Sequence, residues 1–265
     1  MNPIDSNFLK LSREAFRAAS DSISDLTGTD AAGTIVRMGA DGTPTAKIDI
    51  AAEDAILEVL KADGRSMRII SEEMGECILG SSPEFSIVID PLDGTYNASV
   101  GIPFYNLSIA ITSLDLSHVR FGYVSNLALH EEYYSEAGKG AYLNAERVKT
   151  SRQSELRELC VSVYGYRQHV ERTRNIYKNV RRVRLLGSVA LELCYVASGK
   201  LDALVDIRGA LRVTDVAAGQ LILKEAGGLV TDREGNSLTL PDNVISRVEM
   251  VASNGHVHEK LLKLL

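Results

Sequence analysis

Apolar residues recur at helical spacing from the start of the chain, at Phe8, Leu11, Ala15, Ala19, Ile23 and Leu26. The period predicts a long amphipathic helix capped by Asp5 or Ser6. Residues 34–38 and 44–48 then flank Ala40-Asp41-Gly42, the composition of a hairpin turn. Asp49 caps or opens a second helix whose inner face carries Ala52, Ala55, Ile56, Val59 and Leu60. A short run at 67–71 reads as a strand and ends in Glu72-Glu73. From 85 to about 142 the pattern turns strand-rich, at 85–89, 107–113, 119–127 and 132–136, until Gly138 and Gly140 break it. That is the behaviour of an antiparallel meander. Tyr133-Tyr134 falls inside it and is read as sheet packing.

After about Ser151 the rhythm changes. Strand candidates at 159–163, 183–186, 203–205, 228–231 and 250–252 alternate with helical stretches at 169–180, 189–198, 214–226 and 257–264. The chain thus divides into an N-terminal α+β half, 1–145, and a C-terminal α/β half, 146–265, with a boundary near the polar stretch 144–155.

One strand carries candidate chemistry. Ile87-Val88-Ile89 runs into Asp90-Pro91-Leu92-Asp93-Gly94-Thr95. Proline cannot donate to a ladder and restricts the residue before it, so the strand is expected to leave the sheet at Asp90. Two acids are left at the C-terminal edge of a strand, where α/β proteins place ligands. Such neighbours repel, and a cation between them relieves the repulsion. Gly94 lets backbone N–H groups approach a ligand and Thr95 adds a hydroxyl, a setting for a hard metal beside a phosphate.

Composition narrows the field. With 265 residues, 45% of them apolar, the chain can bury a sizeable core. A net charge of −6 argues against nucleic acid or an anionic membrane as partner. Cys77, Cys160 and Cys194 are odd in number and form no C-x-x-C pair, so they read as packing residues in a reduced compartment. The first residues lack the pattern of a signal peptide, and no apolar run approaches the roughly 20 residues that span a bilayer. A cytoplasmic location is expected.

Asp49, Glu72, Asp90, Asp93 and Asp215 all fall at strand ends or helix starts. Each alone reads as a cap or a solvated loop; together they match a family. Asp90-Pro91-Leu92-Asp93-Gly94-Thr95, continued by Tyr96-Asn97, resembles the first signature of the inositol monophosphatase and fructose-1,6-bisphosphatase superfamily. Ser71-Glu72-Glu73 is similar to its upstream acidic element. Thr214-Asp215-Val216-Ala217-Ala218-Gly219 resembles its second signature, with threonine in place of the usual tryptophan. Gly187-Ser188-Val189-Ala190 and Glu225-Ala226-Gly227-Gly228 also match in order and spacing.

The resemblance implies a layered α-β-α-β-α sandwich with the site between the two halves. It implies Mg²⁺, two or three ions per site, with Mn²⁺ as a possible substitute. Glu72, Asp90 and the Leu92 carbonyl would hold one ion; Asp90, Asp93 and Asp215 would hold a second; Glu72 would support a loose third. Asp49 and Thr95 would form the water-activating pair, and Gly94 and Thr95 would grip phosphate through their backbone N–H groups. It further implies a homodimer and a small phosphorylated substrate. Oxygen-only ligands favour Mg²⁺ over Zn²⁺, and a two-metal site suits direct attack of water on a phosphate monoester with no covalent intermediate.

Substrate choice turns on Arg208, seven residues before Asp215, where animal inositol monophosphatases carry a glutamate that contacts inositol. The reversed charge suits a second phosphate, with Arg184 joining it and Ser188, Val189, Asp93 and Asp215 completing the pocket. The pattern Asp206-Ile207-Arg208-Gly209-Ala210-Leu211-Arg212 is similar to archaeal members that act on both fructose 1,6-bisphosphate and inositol phosphates. Arg208 and Arg212 as plain ion-pair residues are the bland alternative. His256 and His258 are assigned no chemistry. Rival readings are a phosphatase for 3′-phosphoadenosine phosphate or for a dinucleotide 2′-phosphate, and a non-catalytic regulatory protein that kept the fold. A haloacid-dehalogenase phosphatase is disfavoured for want of D-x-D on the first strand, and a dinucleotide oxidoreductase for want of G-x-G-x-x-G.

Overall fold

Strand alternation sorts the central residues onto two faces of one sheet. Ile69, Ile87, Ile89, Ile109, Ile111, Phe121, Tyr123 and Tyr134 pack on one side, and Ile70, Val88, Ala110, Val124 and Tyr133 on the other. The computed structural model describes residues 6–265 of the chain, with the Ser6 side chain outside the description along with Asp5, so the expected cap of the first helix lies outside the described residues.

The elements run in order as α1 (Ser6–Ile23), β1 (Ile35–Met38), β2 (Pro44–Ala46), α2 (Lys47–Asp63), β3 (Met67–Ser71), β4 (Gly75–Leu79), β5 (Ser86–Asp93) and α3 (Thr95–Val100). There follow β6 (Asn106–Thr112), β7 (Val119–Asn126), β8 (Glu132–Glu136), β9 (Ala141–Leu143), β10 (Glu146–Val148), β11 (Cys160–Val163) and α4 (Val170–Asn179). The chain closes with β12 (Arg182–Arg184), α5 (Val189–Ala197), β13 (Ala203–Leu211), α6 (Val213–Glu225), β14 (Leu229–Thr231), β15 (Val248–Ser253) and α7 (His258–Leu262).

An eight-stranded sheet has the order β10-β9-β8-β7-β6-β5-β3-β4, and a five-stranded sheet the order β12-β11-β13-β15-β14. In the first, β5 to β8 form the expected antiparallel meander, β9 and β10 extend it, and β3 runs parallel to β5. Helices α1 and α2 cover its outer face. Helices α5 and α6 lie between the two sheets, touching β6 and β7 on one side and β13, β14 and β15 on the other. The far face of the second sheet buries Ile176 of α4 and Leu261 of α7. The result is the α-β-α-β-α sandwich. Small residues permit the central layer: a Cβ at Gly122 on β7 would stand 2.8 Å from the Ala218 carbonyl of α6.

Several boundaries differ from the sequence reading. Strand β5 does not leave the sheet at Asp90; it continues to Asp93, with Asp90 opposite Ser108 and Asp93 opposite Asn106. Three steps on β5 match two on β6, a bulge that takes up Pro91 where no ladder N–H is required. Helix α2 begins at Lys47, two residues before Asp49, which shortens the preceding strand to Pro44–Ala46. Strand β13 continues past Val205 to Leu211. Strands β4, β9 and β10 were not anticipated. The β9–β10 turn places both Asn144 and Ala145 at positive φ, the geometry of a two-residue hairpin, and the first sheet extends to Val148.

Candidate active site

Four chain segments bring acids to one cleft. Asp49 is the third residue of α2, and its Oδ2 accepts the Ala46 N–H at 2.9 Å. Asp215 is the third residue of α6 and accepts the Arg212 N–H at 2.7 Å. Both carboxylates thus satisfy a helix-start donor with one oxygen, a local reason for an acid at that position. Glu72 follows β3, and the bulge of β5 carries Asp90 and Asp93.

One oxygen from each of Glu72, Asp90 and Asp215 lies within 4.8 Å of the others, the one such group found among the described residues. Asp90 is 1% exposed; its Oδ1 accepts the Leu92 N–H at 3.1 Å, while its Oδ2 is buried with no hydrogen-bond partner. A buried carboxylate oxygen without a donor needs a cation or a proton. Burial first, then the charges of Asp93 and Asp215, hold the Asp90 carboxyl well above its ordinary range. The donors are all oxygen. The residues therefore fit a hard divalent cation such as Mg²⁺.

Asp93 stands outside that triad. Its Oδ2 accepts Ser188 Oγ and the Ala190 N–H at 2.9 Å each and Asn106 Nδ2 at 3.1 Å. Burial and the neighbouring Asp215 still push its carboxyl up to about 7, against the lowering effect of those bonds. Ser188 is wholly buried and spends its hydroxyl proton on Asp93, so it orients Asp93 instead of lining the pocket.

Thr95 Oγ donates to Asp49 Oδ1 at 2.8 Å and lies 3.2 Å from the Leu92 carbonyl. Burial raises the Asp49 carboxyl to about 6, with the Thr95 bond opposing. Gly94 precedes α3 at φ +97, and a Cβ there would meet the Phe104 carbonyl at 3.0 Å; glycine is required on both counts.

A cavity of about 570 Å³ opens beside these groups and is lined by Asp93, Gly94, Thr95, Tyr164, Val189, Arg208, Arg212 and Asp215, among others. Arg208 is locked in place. Its Nε bonds Asp206 Oδ1 at 2.9 Å and its Nη1 bonds Tyr166, while the guanidinium lies 4.5 Å above the Tyr164 ring. Arg184, expected beside it, does not line the cavity: it sits exposed on the edge strand β12 with Nη1 on the Val183 carbonyl.

Arg212 takes the ion-pair role that the sequence offers as its alternative, and two further participants, Asp41 and Arg247, carry no sequence assignment to the site. Arg212 Nη2 bonds Asp215 Oδ1 at 2.9 Å, and its Nη1 reaches Glu72 and Asp41 Oδ2, the latter at 3.0 Å. Arg247 Nη2 donates to the Asp41 carbonyl at 3.0 Å. Asp41 reads in sequence only as a turn residue, and nothing local marks arginines 171 and 206 positions away as its partners. His258 has both ring nitrogens on hydroxyls, of Thr231 and Ser253, which leaves it a structural residue.

Comparison with known proteins agrees with this geometry. The inositol monophosphatase family model matches residues 5–265. A Methanothermobacter thermautotrophicus protein named fructose-1,6-bisphosphatase/inositol-1-monophosphatase is 43% identical over 254 residues, covering 92% of this chain and 91% of that protein. A Methanococcus maripaludis bifunctional NADP phosphatase/NAD kinase is 36% identical over 261 residues, 91% of this chain but 46% of that protein. The solved structure of the MJ0109 gene product, described as an inositol monophosphatase–fructose 1,6 bisphosphatase, superposes with a TM-score of 0.88 at 30% identity, covering 97% of this chain and 99% of the other.

Proposed function

The chain belongs to the inositol monophosphatase family, a metal-dependent phosphatase family, and from that premise we propose that it hydrolyses sugar and inositol phosphate monoesters, fructose 1,6-bisphosphate and inositol 1-phosphate among them. One observation carries the reading: the unpartnered Asp90 Oδ2, buried beside Glu72 and Asp215 and next to a cavity lined by Gly94, Thr95 and Arg208.

Glu72, Asp90, Asp93, Asp215 and the Leu92 carbonyl would hold two Mg²⁺ ions, with a third loosely held near Glu72 and Mn²⁺ as a substitute. Such ions supply a lowered pKa for water and charge neutralisation at the leaving oxygen. The chain's own groups do the rest. Asp49, with its carboxyl near 6, is suited to take a proton from water, and the Thr95 hydroxyl holds Asp49 Oδ1 in place. Arg208 presents a fixed guanidinium to an anionic group away from the reacting phosphate.

The M. maripaludis relative, whose name includes an NADP phosphatase, keeps a dinucleotide 2′-phosphate as the second reading. Assembly as a homodimer rests on the resemblance, and a cytoplasmic location on the cysteine usage and the first residues of the sequence; no helix among the described residues is long and apolar enough to cross a membrane. The test is phosphate release from inositol 1-phosphate, fructose 1,6-bisphosphate, NADP and 3′-phosphoadenosine phosphate, with Mg²⁺ present and withheld. Mg²⁺-dependent release from the first two is expected. Release from the nucleotides alone would give the second reading, and no release from any would leave a non-catalytic protein.

A further inference from the structure

Glu192 on α5 is wholly buried, yet no cation pairs with it among the described residues. Its Oε1 accepts the Leu186 N–H at 2.7 Å and Ser162 Oγ at 2.8 Å. Its Oε2 is buried without a well-formed hydrogen bond, and the Tyr164 hydroxyl is the side-chain donor beside the carboxyl. A carboxyl in such a place costs stability, and an apolar residue would pack there more cheaply. What the acid does is fix one peptide. Leu186 is gripped on both sides, because its carbonyl accepts Asn97 Nδ2 at 2.8 Å while its N–H meets Glu192.

That peptide begins the turn into the site. Gly187, next in the chain, lines the cavity at φ +89, and Ser188 follows with its hydroxyl on Asp93 Oδ2. The N–H of Ala190, the second residue of the helix that carries Glu192, binds the same oxygen. Three donors thus set the rotamer of Asp93, and two of them, Ser188 and Ala190, come from the segment whose entry Glu192 holds. On its other side Glu192 neighbours Tyr164, the ring beneath Arg208, so one buried acid backs both the metal-facing and the substrate-facing walls.

We propose that Glu192 is a positioning residue for the phosphatase reaction, fixing the Leu186–Ser188 turn and through it the Asp93 carboxylate. The proposal rests on the reading of Asp93 as a metal ligand. Groups that orient a metal ligand typically change metal affinity or activity about 10- to 100-fold when removed.

The test uses Glu192→Gln, which keeps an acceptor for Leu186, and two variants without one, Glu192→Ala and Glu192→Leu, the second filling the volume should the first fail to fold. Mg²⁺ alone is titrated calorimetrically, then kcat and KM for inositol 1-phosphate are measured. Folded acceptor-less variants are expected to bind Mg²⁺ about 10-fold or more weakly and to lose kcat with a smaller change in KM, and Gln is expected to restore both within about threefold. Wild-type Mg²⁺ affinity and kcat in a folded Leu or Ala variant would overturn the proposal, as would a Gln variant as impaired as they are. A wild-type protein that neither binds Mg²⁺ nor releases phosphate would instead overturn the functional reading on which the proposal stands.

Discussion

Thr95 Oγ and Asp49 Oδ1 stand 2.8 Å apart, a hydrogen bond that joins the first residue of α3 to the third residue of α2 across 46 positions of sequence. The bond holds a carboxyl that burial has raised to about 6, close to where a general base works best at neutral pH. Thr95→Ala removes the orienting donor and leaves the backbone N–H that is proposed to bind phosphate. We expect kcat to fall about 10²-fold or more with KM nearly unchanged, in steady-state assays on inositol 1-phosphate. A rise confined to KM would make Thr95 a binding group.

Asp93→Asn separates charge from structure. The amide oxygen of asparagine can still accept from Ser188, Asn106 and Ala190, the three donors on Oδ2. Removing the charge also relieves repulsion with Asp90 and Asp215. The metal-free variant is expected to melt at or above the wild-type temperature and to lose Mg²⁺-dependent turnover. Near-normal turnover would remove Asp93 from the metal site.

The acids were legible in the sequence because local backbone chemistry places them. Asp49 and Asp215 answer a helix-start N–H, and Asp90 and Asp93 flank the one proline of a bulge. The apolar periods gave the helices and the meander, while the five-layer stacking came from the family resemblance; small residues such as Ala218 let α6 approach β7. What stayed hidden is long-range or short. No pattern within residues 39–43 announces that Asp41 meets Arg212, and β9 and β10, of three residues each, are too brief to show a period. The resemblance places Ser188 in the pocket, and nothing in its local sequence signals that its hydroxyl turns inward to Asp93.

Stability of the metal-free protein should fall as pH rises through the neutral range. Burial raises Asp49 to about 6, Asp93, Glu73 and Glu192 to about 7, and Asp90 as well. Between the ordinary carboxylate range and about pH 7 the folded chain therefore holds more protons than the unfolded one, which makes the slope of unfolding free energy against pH negative. The lowered acids Asp115, Glu76 and Asp232 lie near the surface, and His258, lowered by burial, offsets only part of the effect of the five raised acids. Melting in a chelator is expected at a higher temperature near about pH 5 than near about pH 8, with saturating Mg²⁺ removing or reversing the order because the ion binds the ionised carboxylates. A chelated protein more stable at the higher pH would show that these acids are not held neutral by the fold.

Arg212 supplies positive charge to the acids of the cleft from within the chain. Its side chain is 19% exposed and bridges Asp41, Glu72 and Asp215. Deleting one partner of a buried ion group costs about 3–5 kcal/mol, since the acids keep their desolvation and lose their counter-charge. Arg212→Ala should lower metal-free stability by about that amount in denaturant titrations. Mg²⁺ should recover part of the loss by neutralising Glu72 and Asp215. The β1–β2 turn, which Asp41 ties to Arg212, should become the first site of limited proteolysis.

Arg208 is the residue we propose to discriminate between substrates. Two of its nitrogens are committed to Asp206 and a third to Tyr166, and its planar face rests on Tyr164, so its geometry is set before any ligand arrives. The Asp206 charge offsets that of Arg208, yet a guanidinium has five N–H groups and three bonds leave two for an anion. A charge-assisted hydrogen bond of this kind is worth about 1.5–3 kcal/mol, a factor of about 10–100. Arg208→Ala should therefore cut kcat/KM for fructose 1,6-bisphosphate about 10- to 100-fold while that for inositol 1-phosphate, which has no second phosphate to lose, falls only a few-fold. Equal losses on both substrates would assign Arg208 to the structural pair with Asp206 and remove it from specificity.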